Sequence, residues 1–445
     1  MKLNTKALLF TAIALFGVAV LSFRADLIPT LGPHLGGDLG GGRSILDPQG
    51  AVAQAHLDSF MPILLGSAVL FIILAGMLMY TLFASQGTSV ATAEADRTTP
   101  TGRRIRKAWI GIASFYFILL LTHVFQPSGT PQTTAQLDEK NPETLVINVT
   151  AHLWWYSFHY PEQGIVTSNE FVFPTHTPVK INLLSQGPIH GFWIPKLTGK
   201  ATLPPGEANH VWVYTDTEGN YSGQCTEFCG ESHAYMLFRG HATSRGKFDK
   251  WVHSQRQPAK LEGLTPQEQL GYDLFTGKKH YALAKEKGMD GNPINCTACH
   301  ILGTQPDFPH APYRISPFPN LTNFAERTTL AAGWRNLDRE NLKEWIQQPG
   351  KVKPGNLMWK KFAEAYGIID PNTAPSLHNR GETQAQAHSK FFTDEEANAL
   401  AAFLLSLRSP GAQDWTRTPM EKRNGTAWMQ SSSQTHDQAY KVAAN

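Results

Sequence analysis

Long uncharged runs at one end of the chain give way to short β-type runs and then to helical spacing, and these changes divide it. Lys2 and Lys6 precede an apolar stretch over 7–21, which is short for a membrane span and has the length of a leader's apolar core. Residues 59–84 and 108–126 carry no charged side chain. Each is close to or above the ~20 residues a helix needs to cross hydrocarbon, which predicts a two-helix transmembrane hairpin. The loop between them holds Arg97, Arg103, Arg104, Arg106 and Lys107 against Glu94 and Asp96, so the excess of basic residues places it in the cytoplasm and both outer ends outside.

Beyond 144 the pattern shifts to short runs at 145–148, 179–184 and 211–214, separated by Pro, Gly and Asn turns. That spacing predicts an all-β barrel or sandwich. A polar, unpatterned stretch over 253–264 reads as a linker. Thr265-Pro266-Gln267-Glu268 then forms a capping box with proline at the first helical position, ahead of Leu270, Leu274 and Phe275. A second box, Thr393-Asp394-Glu395-Glu396, precedes Leu400, Phe403, Leu404 and Leu407 at helical spacing. The expected fold class is a multi-domain membrane protein. It comprises a leader or anchor (1–25), an exported segment (26–58), the helix hairpin (59–126), an all-β domain (127–252), the linker, an all-α domain (265–408) and a polar tail (409–445).

A length of 445 residues accommodates several domains, and 42% hydrophobic with 17% charged residues suits a globular chain with a few spans. The net charge of +3 is too small to argue for nucleic acid.

All four cysteines fall in two motifs. Cys296-Thr-Ala-Cys299-His300 has two thiols spaced to add to haem vinyl groups and a histidine placed to ligate the iron. A zinc site would want a second such pair nearby. Met358, in Lys353-Pro-Gly-Asn-Leu-Met358, is the chosen second axial ligand because the turn can present its thioether; His310, His378 and His388 are the rivals. The other motif is Cys225-Thr-Glu227-Phe-Cys229-Gly-Glu-Ser-His233-Ala-Tyr-Met236, with His190 upstream. Such a set can serve zinc, a disulfide or copper, but thiolate, thioether and imidazole together point to copper. Two cysteines four apart do not suit a mononuclear blue site; they can bridge two ions.

The pattern of His190 and Cys225 to Met236 resembles subunit II of the haem-copper cytochrome c oxidases, and so do His152-Leu-Trp154-Trp-Tyr-Ser-Phe-His-Tyr-Pro161 and Ile189-His-Gly-Phe-Trp-Ile-Pro195. Pro319-Asn-Leu-Thr, Thr329 to Gly333, Trp345 and Lys353 to Asn356 resemble the cytochrome c domains fused to some bacterial members. The resemblance implies a cupredoxin fold for the β domain and a cytochrome c fold for the helical one. It implies a binuclear copper A centre bridged by Cys225 and Cys229, ended by His190 and His233, with Met236 and the Glu227 carbonyl as weak ligands. It also implies covalent haem c, Trp154 as the residue through which electrons arrive, and a magnesium ion at the partner interface reached by the Glu227 side chain. A multispan subunit I and other membrane subunits would be partners, with a cytochrome or quinol-oxidising complex upstream. The expected place is the bacterial inner membrane, metal domains outside, and the expected role is transfer of electrons from the chain's own haem to copper and on to dioxygen reduction and proton translocation in subunit I. The short linker would keep the haem domain near its acceptor at high effective concentration. The family's carboxylate three residues before Trp109 is Arg106 here and its aspartate before the copper histidine is Gly187, so those roles do not carry over. A nitric oxide reductase is the alternative assembly, and a copper-delivery protein the alternative class.

Overall fold

A computed structural model describes residues 44, 45, 47–84, 99–125, 137, 142–259, 261–288, 294–302, 318–366, 391–410 and 412. The leader region, much of the basic loop, His310, His378, His388 and nearly all of the tail lie outside them. Two compact units emerge, one containing 54–136 and the other 48–53 with everything from 137 on.

In the first unit, α1 (Ala51–Ala84) begins before the expected span, and α2 (Pro100–Phe125) takes Arg103, Arg106 and Lys107 into its first turns. Within α1, Ala51–Gly76 is long and apolar enough to cross a bilayer, whereas the apolar stretch of α2 is the shorter Trp109–Ile118. Phe71, Leu78, Ile110, Phe115 and Phe117 stand more than half exposed. Ser67 and Tyr116 share a hydroxyl hydrogen bond of 3.1 Å between the two helices.

The second unit opens with a β region. Its larger sheet has the order β3-β2-β1-β5-β8, from β1 (Leu145–His152), β2 (Trp155–Tyr160), β3 (Ile165–Ser168), β5 (Val179–Ser185) and β8 (Asn209–Val213). The smaller has β4 (Glu170–Pro174), β10 (Leu237–Thr243) and β9 (Gly219–Gln224), while β6 (His190–Phe192) pairs with β7 (Ala201–Leu203). Alternation explains the burial: Leu145, Ile147 and Val149 on β1 and Val179, Ile181 and Leu183 on β5 all point inward, and the two strands run parallel with Leu145 opposite Val179. Aromatic rings fill the core, with Phe158 stacked on Phe171 at 4.7 Å and Phe192 on Phe238 at 4.5 Å. This is a cupredoxin-like β domain.

The polypeptide leaves through α3 (Arg245–Gln255), which carries the helix into the first residues of the expected linker. The rest is mainly helical: α4 (Pro266–Thr276), α5 (Ala282–Glu286), a small hairpin of β11 (Thr329–Leu330) and β12 (Arg335–Asn336), α6 (Arg339–Gln347), α7 (Pro349–Val352), α8 (Leu357–Ala365) and α9 (Asp394–Ser406). Both capping boxes form, at Thr265 with Glu268 and at Thr393 with Glu396. Leu274, Phe275, Leu400 and Phe403 make the core between α4 and α9.

The β and helical regions are clasped together. The Glu170 carboxylate on β4 accepts from His241 Nε2 at 3.1 Å and from the backbone and hydroxyls of Thr328 and Thr329, the shortest at 2.5 Å. Glu326 likewise accepts from Ser254, Gln255 and Ser409, so Ser409 is buried structure and not the start of a loose tail.

Candidate metal centre

The Cys225 to Met236 loop is closed at its base by sheet pairing. Gln224 at the end of β9 stands opposite Leu237 at the start of β10, and Cys225 N donates to Met236 O at 3.0 Å. His190 opens β6, and Gly191 beside it lets that strand lie against the loop, since a Cβ there would strike Thr226. Gly191 N points at Cys225 Sγ, 3.5 Å away.

Six donor atoms converge in consequence. The Cys225 and Cys229 sulfurs lie 3.8 Å apart, too far for a disulfide, whose S–S length is about 2.05 Å. Around Cys225 Sγ stand His190 Nδ1 at 3.8 Å and the Glu227 carbonyl at 3.3 Å. Around Cys229 Sγ stand His233 Nδ1 at 3.5 Å and Met236 Sδ at 3.9 Å. His190 and Met236 are fully buried, both cysteines nearly so, and His233 is half-exposed beneath the exposed Phe228 ring. The hydrogen bond from Cys229 draws the Cys225 thiol far below the ordinary thiol range and holds the proton on Cys229, whose own value rises. Two soft sulfurs flanked on each side by one imidazole and one weaker donor are a set that fits a pair of copper ions.

Trp154, in the turn between β1 and β2, donates its Nε1–H to the Cys229 carbonyl at 2.9 Å. The aromatic strand beyond it is largely core: Tyr156 is fully buried with its hydroxyl on the Gly191 carbonyl.

In the helical region Cys296 and Cys299 sit at a 3-10 turn capped by the Asn295 side chain. His300 N donates back to Cys296 O at 2.8 Å, and His300 Nδ1 meets the Pro319 carbonyl at 2.8 Å, which leaves Nε2 as the nitrogen for a ligand. Burial lowers the His300 pKa and favours the neutral ring a metal needs. Met358, at the second position of α8, and Cys296 are both half-buried against the same helical core.

Sequence reasoning missed the residues that bring this region to the sulfur site. Lys353, picked out only as part of the turn before Met358, is buried, and its ammonium donates to the carbonyls of Trp154 and Tyr235. Burial presses its pKa down to about 7 against the opposing influence of Cys229. Glu170 carried no signal beyond a charge among the apolar residues Phe171, Val172 and Phe173.

A family profile for the periplasmic domain of cytochrome c oxidase subunit II matches residues 163–239. The chain is 31% identical to cytochrome c oxidase subunit 2 of Bacillus sp. (strain PS3) over 61% of its own length and 64% of that protein's. It is 29% identical to the corresponding subunit of Bacillus subtilis, over 71% and 85%. A subunit 2 of cytochrome bo(3) ubiquinol oxidase from Pseudomonas putida is 30% identical over 49% of this chain and 69% of its own. The chain belongs to the cytochrome c oxidase subunit II family, a component of haem-copper oxidase complexes.

Proposed function

We propose that this chain is the electron-receiving subunit of a cytochrome c-type terminal oxidase, with a copper pair in the β domain and a covalent haem c in a fused cytochrome c domain. The observation that carries the reading is the convergence of six soft and borderline donors around two sulfurs 3.8 Å apart. Cys225 and Cys229 would bridge the coppers, His190 and His233 would each end one, and Met236 and the Glu227 carbonyl would be the weak ligands. The copper pair supplies a one-electron carrier. Cys296 and Cys299 would anchor the haem and His300 and Met358 would ligate it, adding a second carrier whose Met/His ligation raises its potential. The half-exposed Glu227 carboxylate, which Thr202 Oγ1 touches at 3.4 Å, is left to meet a magnesium ion at the partner surface.

The protein's own part is positioning and exclusion of water. Tyr156 and Met236 lie fully buried beside the sulfurs, and donors fixed on strands and a tied loop have little freedom to rearrange when charge changes. Electrons would arrive through Trp154 and leave for a multispan subunit I, where dioxygen is reduced and protons are moved. The two apolar helices would cross the inner membrane as a hairpin, with the metal domains on the periplasmic side and a cytochrome or quinol-oxidising complex as donor.

Purification of the assembled complex by a tag on this chain tests the reading. Two coppers and one covalent haem per chain are expected, with hyperfine structure of an electron shared between the coppers and with consumption of oxygen and not nitric oxide. A copper stoichiometry of one, or an unchanged copper spectrum in Cys229→Ser, refutes it.

A further inference from the structure

Lys353 lies between α7 and α8 and is 4% exposed. Lysine is almost never fully buried unless its charge is satisfied, and a methionine would fill similar space without desolvating a cation. Its three N–H donors explain the choice. They reach Trp154 O at 2.6 Å, Tyr235 O at 3.1 Å and, more weakly, Ala331 O at 3.5 Å. These carbonyls belong to the β1–β2 turn, to the 3-10 turn His233–Tyr235 that runs straight into Met236, and to the turn between β11 and β12.

Two further observations make this a coupling and not only a contact. Trp154 is bound at both ends: its backbone carbonyl accepts from Lys353 and its indole donates to the Cys229 carbonyl at 2.9 Å, so two hydrogen bonds and one residue separate Lys353 from a sulfur ligand. On the other side, Asn356 ties Lys353 to α8. Its side-chain amide donates to Lys353 O at 2.6 Å and to Pro349 O at 2.8 Å, while its carbonyl oxygen caps Trp359 N at 2.8 Å, in the helical turn that contains Met358. Ser232 also donates to Pro354 O, which seats the loop on the segment between Cys229 and His233.

We propose that Lys353 is a positioning residue that holds the segment leading into the Met358-bearing helix against Trp154 and the copper-ligand turn, and so sets the route by which electrons pass from the haem region to the copper site. This rests on the proposed function. A single electron moves, the haem iron is oxidised and the copper pair reduced, and no bond or proton is exchanged. Docking as such does not need Lys353, because the Glu170 and Glu326 clasps join the same two regions elsewhere.

The test uses the full chain in its complex, with photoreduction of the haem and an optical record of copper reduction. Lys353→Met is expected to keep both metal spectra and the amide protection of Thr328 and Thr329, while haem-to-copper transfer slows about tenfold or more, the scale expected from a small misplacement. Lys353→Gln, which retains a donor, should recover part of the rate. Glu170→Gln loosens the same interface away from the copper and should raise exchange at Thr328 and Thr329 with the transfer rate held within about twofold. A Lys353→Met rate within about twofold of the parent overturns the inference, as does equal slowing by Glu170→Gln. If Lys353→Met does not assemble, an unchanged rate in Lys353→Gln overturns it. A parent chain that lacks copper or haem refutes the proposed function itself, before any variant is compared.

Discussion

Trp154 packs on Gly230 as well as bonding to Cys229, and the two contacts are separable. Trp154→Phe keeps an aromatic ring in place but removes the Nε1–H that reaches the Cys229 carbonyl. The expected outcome is intact copper and haem spectra with slowed copper reduction in stopped-flow records; an unchanged rate would make Trp154 a packing residue alone. Gly230 has φ +118°, and a Cβ there would stand 3.0 Å from Trp154 Cζ2. Gly230→Ala therefore combines backbone strain with a clash, at a cost of about 1–3 kcal/mol. It should lower the thermal midpoint and weaken copper retention, both measurable by calorimetry with and without a chelator.

On β4, one carboxylate carries the clasp to the helical region. Burial alone would raise the Glu170 pKa, but hydrogen bonds from His241, Thr329 and Thr328 overcome it and hold the group at about 2, below the ordinary value of 4.5. A carboxylate depressed on folding adds stability that is complete above its unfolded pKa and is lost as pH falls through the folded one. The clasp is therefore expected to weaken between about pH 4.5 and 2, and a shift of this size corresponds to at most about 3 kcal/mol. Acid unfolding followed by tryptophan fluorescence checks this: Glu170→Gln should be less stable at pH 7 and should lose less on acidification. The helix caps act locally. Thr393→Ala removes the acceptor for Glu396 N, and urea titration should show a loss of about 1 kcal/mol.

At the scale of the whole chain, the β and helical regions belong to one compact unit, so the helical region is docked and not a carrier swinging on a tether. Electron transfer between the proposed haem and copper centres should then be insensitive to ionic strength and to viscosity, since no diffusional encounter is involved. A rate that falls with added glycerol or salt would argue for a mobile domain. Met358→Ala, at the start of α8, should abolish the weak sulfur-to-iron absorption band and lower the haem potential, while the same change at Met289 should leave both. In the membrane unit, a reporter active only in the cytoplasm should work when inserted near Thr101 and fail after Arg408; the reverse would invert the topology drawn from Arg97 to Lys107.

Local chemistry carried much of this protein in readable form. The uncharged run at 59–84 foretold a helix, the short runs at 145–148 and 179–184 between turn residues foretold strands, and the two capping boxes marked the first residues of α4 and α9, because each depends on neighbours only a few positions away. The clustering of the Cys225, Cys229 and Met236 sulfurs was legible for the same reason, their spacing being set within one loop. Other features depended on residues far apart in the chain. The 3.8 Å approach of His190 to Cys225 requires β6 to be laid beside the loop that follows β9, and no spacing in the sequence encodes that approach. Lys353 finds Trp154 from 199 positions away, and Glu170 finds Thr329 from 159. A lysine or glutamate in a sequence reads as a solvated charge; only the folded chain, by closing water out and supplying carbonyls or hydroxyls in its place, turns Glu170 into a clasp between the regions and Lys353 into a tie to the Trp154 turn.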